Sequence, residues 1–154
     1  MTNDYTLYIL MRTDLQSMTN GRAMAQASHA ANAFVHENPK VKGLKEWQKQ
    51  TPQGYGTAIV MASTLERIEI YNDAIKKSPY KGKCVGNILI DPEYGIKTTK
   101  EIYNLMHMKM IYTDKSLINP DGSVIVFRSE VTCSYIFGTR EVLKPLLGAL
   151  SLHP

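Results

Sequence analysis

Residues 5–12, YTLYILMR, form an almost unbroken apolar run, and that run does most to restrict the fold. A strand that alternates apolar with polar residues leaves one face to water, whereas a continuous run requires cover on both faces. The run ends at Arg12 and Asp14, and a polar turn, Ser17-Met18-Thr19-Asn20-Gly21, leads into the Ala-rich stretch GRAMAQASHAA. Thr19 or Asn20 can cap a helix starting near Gly21, and its small side chains permit close approach to a sheet. The helix is expected to end before Pro39.

The same strand-then-helix unit recurs. TAIVMA (57–62) reads as strand, and Ser63 or Thr64 caps a helix through about Lys77. A third strand is expected at 83–90, ending at Asp91 before Pro92. Between the first two units Val41, Leu44 and Trp47 at helical spacing predict a short helix over about 41–50. Ile102, Leu105, Met106 and Met110 predict a helix over 97–110. Two strands, 123–128 and 132–138, and a short helix at roughly 139–148 complete the pattern. Strand–helix–strand–helix–strand order implies a largely parallel sheet with helices on both faces. Ligands of such sheets bind at the carboxyl ends of strands, where Asp14 and Asp91 are expected to share one rim.

Composition sets outer bounds. A chain of 154 residues, 44% hydrophobic and 21% charged, suits one globular domain with its own core. The net charge of +4 mildly favours a polyanionic partner such as RNA. MTNDYT lacks the pattern of a secretion signal, and no apolar run approaches the about 20 residues that span a bilayer, so a cytoplasmic protein with no membrane partner is expected. Cys84 and Cys133 read as buried free thiols. No metal-ligand spacing, phosphate-binding glycine loop or serine-triad motif is present, and no cofactor is expected.

Chemistry-bearing residues concentrate at the first helix. Steps of three and four residues bring Arg22, Gln26 and His29 to one side of it, next to backbone N–H groups that favour anions. Arg22 suits a phosphate or a developing oxyanion. Gln26 suits either substrate positioning or the surface, and His29 reads more simply as a packed residue at a helix–sheet contact. Asp91 suits proton transfer or water orientation, or else a turn before Pro92. The lysines at 76, 77, 81 and 83 read as a solvated face more readily than as a backbone-binding patch.

The pattern R-x-D-L, a Met-containing turn, then G-K-x-A-A-Q-x-x-H-A resembles the type 2 peptidyl-tRNA hydrolases. This chain supplies Arg12, Asp14, Leu15, Met18, Gly21, Arg22, Ala25, Gln26, His29 and Ala30 in that order, with one additional residue in the turn. Leu44 and Trp47 match L-x-x-W, TAIVMAS and VGNILID match the second and third strands, and TCSYIFG resembles the last. The resemblance implies a small α/β sandwich with a four-stranded mixed sheet and metal-independent hydrolysis of the ester between peptide and tRNA. By position, Asp91 would orient or activate water, Gln26 would position substrate, and Arg22 would stabilise charge on the carbonyl oxygen. Asp14, Asn20, Gly21, His29 and Thr98 complete the expected substrate contacts.

The chain departs from the pattern twice. Arg22 replaces Lys, which keeps the charge but removes proton transfer. DPEYG replaces D-A-G-R-T, and an insertion follows at about 92–130. The combined expectation is a single domain over 1–154, a three-layer α/β/α sandwich with a four- to five-stranded mixed, mostly parallel sheet. The function the resemblance implies is peptidyl-tRNA hydrolysis; the alternative expectation is a non-catalytic binder of tRNA, a nucleotide or a nucleotide signal on the same scaffold. The apolar positions 102, 105, 106 and 110 are a candidate homodimer contact, with core packing the simpler reading.

Overall fold

The computed structural model describes residues 4–99, 116–118 and 120–154, and these form two compact units, 1–89 with 132–154, and 90–131. The expected helix over 97–110 and its apolar positions fall almost entirely outside the described residues. Strands are β1 (Tyr5–Arg12), β2 (Ala58–Ser63), β3 (Val85–Thr98), β4 (Ser116–Ile118) and β5 (Val124–Thr139). Helices are α1 (Asn20–Glu37), α2 (Leu44–Gln48), α3 (Leu65–Ala74) and α4 (Arg140–Leu147). The sheet is mixed, in the order β2-β1-β5-β3, with β4 alongside β5. β1 runs parallel to β2, pairing Ile9 with Val60, and antiparallel to β5, pairing Ile9 with Tyr135.

In the larger unit the doubly covered β1 is realised. Its odd positions Tyr5, Leu7, Ile9 and Met11 pack with Ala23, Ala30 and Phe34 of α1, Leu44 and Trp47 of α2, and Tyr135 and Phe137 of β5. Phe34 meets Trp47 edge-on at 5.6 Å and Phe137 tilted at 4.5 Å between ring centres. The opposite face is closed by α3 and α4: Ile75 and Leu143 lie against Gly86 and Gly138 of the sheet. Thr19 caps α1 and Thr64 caps α3, each accepting a backbone N–H from three residues on. Ala62 N donates to Ser151 O and His153 N to Val60 O, so the last residues line the outer edge of β2.

The smaller unit holds the rest of β3 and β5 with β4, which pairs antiparallel to β5 from Ser116–Val126 to Ile118–Val124. Tyr94, Val124 and Val126 are buried in it, and Lys97 pairs with Asp121 at 2.8 Å.

Four boundaries differ from expectation, the simplest being α3, which ends at Ala74 rather than about Lys77. β3 does not stop at Asp91-Pro92 but continues to Thr98, so 97–98 are strand rather than helix. Proline lacks only the donor; Pro92 O still accepts from Ser129 Oγ at 3.5 Å. The two expected strands 123–128 and 132–138 are one, because Ser129 and Glu130 continue the extended backbone instead of turning it. α2 is shorter than 41–50, starting after Gly43, whose φ of 90° is left-handed.

Candidate functional site

The end of β1 is locked before α1 begins. Arg12 donates through Nε and Nη2 to the two carboxylate oxygens of Asp14, at 2.9 and 3.3 Å. Asp14 Oδ2 also accepts from the N–H of Leu65, the first residue of α3, at 3.3 Å. Partial burial raises the Asp14 carboxyl's pKa, but the Arg12 bond and the Leu65 N–H outweigh it and hold the group below its ordinary value. This aspartate thereby ties the end of β1 to the first turn of α3.

The turn that follows is closed by Met18 N to Leu15 O at 2.8 Å. Arg22 reaches back from the first turn of α1, its Nη1 donating to Ser17 O at 3.2 Å. A half-buried guanidinium therefore lies against the turn that precedes the helix, with exposed Asn20 and Gly21 beside it in sequence. The hydroxyl of Ser17 is buried and makes no hydrogen bond among the described residues.

One turn further on, Gln26 is only 5% exposed, which removes the surface reading of this residue. Its Oε1 accepts from Thr132 Oγ1 at 2.8 Å, and its backbone carbonyl lies 3.7 Å from Cys133 Sγ. The Thr132 bond sets the orientation of the Gln26 amide. His29 is exposed, not packed at a helix–sheet contact as expected. The three side chains thus descend to different depths: Gln26 is buried, Arg22 half-buried and His29 in solvent.

Asp91 and Thr98 belong to the smaller unit. Asp91 is half-buried within β3 rather than at a strand end, and its Oδ1 accepts from Glu93 N at 3.0 Å. Thr98 is the last residue of β3.

Thr132 escaped the sequence reading. Its signal was a hydroxyl at the start of TCSYIFG, a run otherwise headed for the core. A second unforeseen polar group closes the far end of α1. Tyr135 OH donates to Glu37 Oε2 at 2.5 Å and accepts from Asn38 Nδ2 at 2.9 Å, while Asn87 Nδ2 donates to the same Glu37 oxygen at 3.1 Å. Burial, then the Glu37 bond, push the Tyr135 hydroxyl above its ordinary pKa. Neither cysteine is in a disulfide; Cys133 is buried, and half-buried Cys84 is pushed up by desolvation. Among the described residues no three His, Cys, Asp or Glu side chains are grouped to hold a metal ion, and no helix is long and apolar enough to cross a membrane.

A mixed α/β sheet flanked by helices, with a capped helix following its first strand, defines a small α/β domain. The family model of peptidyl-tRNA hydrolase PTH2 matches residues 5–85, more than half of the chain. The protein belongs to the PTH2 family of peptidyl-tRNA hydrolases. The matched span carries β1 through α3 and ends at the first residue of β3. Among curated proteins, none matches the chain.

Proposed function

We propose that this protein hydrolyses the ester that joins a peptide to the 3′ ribose of tRNA. The observation that carries the reading is that Arg22, bonded to Ser17 O, and Gln26, bonded to Thr132, both stand on the first two turns of α1 within the segment 5–85 that matches the family. When water adds to the ester carbon, the carbonyl oxygen gains negative charge. The Arg22 guanidinium stabilises that charge together with the helix N-terminus. Gln26 positions the acyl group. Collapse of the adduct breaks the bond to the ribose oxygen, which takes up a proton as free tRNA leaves.

Arg22 cannot exchange a proton in this step, so the water needs another group to orient it or accept from it. Asp91 fills that role through its place in the motif VGNILID. Asn20, Gly21, His29 and Thr98 contribute substrate contacts. Asp14 acts by holding the turn through Arg12 and Leu65. The family domain comprises the whole chain, with 92–130 as an insertion, and tRNA is the partner.

The test is turnover of N-acetyl-leucyl-tRNA by the purified protein. Asp91→Asn is expected to lower kcat by about 10²–10⁴-fold, and Arg22→Ala by about 10²–10³-fold. Wild-type protein that shows no turnover and carries a co-purifying nucleotide would sink the enzyme reading in favour of a non-catalytic binder. A large gain in rate for Arg22→Lys would likewise mark a chain that has moved away from hydrolysis.

A further inference from the structure

At the opposite end of β1 from Arg12 the larger unit contains a hollow of about 370 Å³. Its lining includes Lys42 and Lys83 over an apolar floor of Tyr5, Val85, Phe137 and Val142. The two lysines come from segments far apart in the chain, and each adjoins a glycine with left-handed backbone, Gly43 at φ 90° and Gly82 at φ 77°. A side chain at Gly43 would overlap the Tyr5 ring, so that turn is pressed against the hollow's floor. The turn at Gly82 is closed by Lys83 N to Tyr80 O at 2.9 Å. Neither lysine is ion-paired among the described residues, whereas Lys77, outside the hollow, is held by Asp73.

We infer that this hollow anchors the sugar–phosphate backbone of tRNA, at a point distinct from the ester site. The inference rests on tRNA being the substrate. Two cations bordering an apolar floor fit a ligand that alternates phosphate with ribose, better than they fit a small free anion. Spacing agrees. β1 has eight residues, which puts its two ends about 23 Å apart. RNA duplex presents phosphates continuously over such a length, so a substrate whose ester lies near α1 still has charge to offer at the hollow. Backbone anchoring of this kind is independent of sequence, as an enzyme for many tRNAs requires.

The test compares tRNA binding by the wild-type protein and by Lys42→Ala/Lys83→Ala across 50–200 mM salt, with Lys77→Ala as control. Each lost phosphate contact lowers the slope of log K against log salt by about 0.7–0.9. The double variant is therefore expected to bind more weakly at low salt, with a disadvantage that narrows by about tenfold between 50 and 200 mM. KM for N-acetyl-leucyl-tRNA rises while kcat is unchanged, and Lys42→Arg/Lys83→Arg restores both slope and KM. Lys77→Ala leaves the slope as it is. A wild-type protein that binds and turns over the substrate, with an unaltered slope in the double variant, overturns the anchor alone. Wild-type protein without any salt-dependent tRNA binding overturns the tRNA reading and the anchor together.

Discussion

At the residue scale, side chains that the chemistry invokes are held by partners distant in sequence. Gln26 depends on Thr132, and Thr132→Val removes a hydroxyl while keeping its shape. The cost is expected to be about 1–3 kcal/mol, read by urea denaturation, because a buried amide oxygen loses a donor. kcat for N-acetyl-leucyl-tRNA should fall with it if amide orientation matters. Asp14 makes a prediction with a definite sign. Its pKa in the folded protein is lowered, so its contribution is complete above the unfolded value and is lost as pH falls through the folded one. Asp14→Asn should thus destabilise the protein near neutral pH and flatten the acid limb of its stability curve. Tyr135 runs the other way: its raised pKa favours folding below the unfolded value, and that contribution fades as alkaline pH rises through the folded one. Absorbance titration should show a late-ionising tyrosine component, to which Tyr8 also contributes, and Tyr135→Phe should diminish it.

At the element scale, much was legible, and the failures among the strands have a common cause. β1, α1, β2 and α3 could be read because each strand–helix pair combines apolar patterning with a hydroxyl that caps its helix, and the structure supplies both caps at Thr19 and Thr64. Thr64→Ala should cost about 1 kcal/mol and shift the thermal midpoint accordingly. The misjudged strand boundaries lie where a breaker residue was trusted over the sheet, whereas at α2 the breaker Gly43 was read through. Pro92 and the Ser129-Glu130 pair look like interruptions, yet an extended backbone absorbs both once a neighbouring strand is present. Long-range pairing of that kind leaves no local trace. The burial of Gln26 and the exposure of His29 were hidden for the same reason: spacing gives a helix face, while depth depends on what packs against it.

At the scale of the whole molecule, the single tryptophan is a selective reporter. Trp47 is 4% exposed in the core of the larger unit, donates to Thr57 O at 2.8 Å and touches Phe34. Phe34→Ala is expected to cost about 3–5 kcal/mol and to move the midpoint of the Trp47 emission change in urea. Lys97→Ala, which breaks an exposed pair in the smaller unit, should leave that midpoint where it is. The family match stops where the smaller unit has yet to begin, so the motif around α1 and the chemistry assigned to Asp91 rest on different grounds. Kinetics on the Asp91 and Arg22 variants therefore weighs two separate stretches of chain.

β2 lies at the margin of the sheet, where exposed backbone donors and acceptors invite another chain to add itself. Ser151 and His153 already occupy Val60 and Ala62 there, and an invading strand would have to displace them before it could zip on. The closing residues of the chain consequently act as a selvedge, a woven border that keeps the fabric from being extended. Growth of ordered aggregates through this margin should be slow in the intact protein and faster once those residues are trimmed.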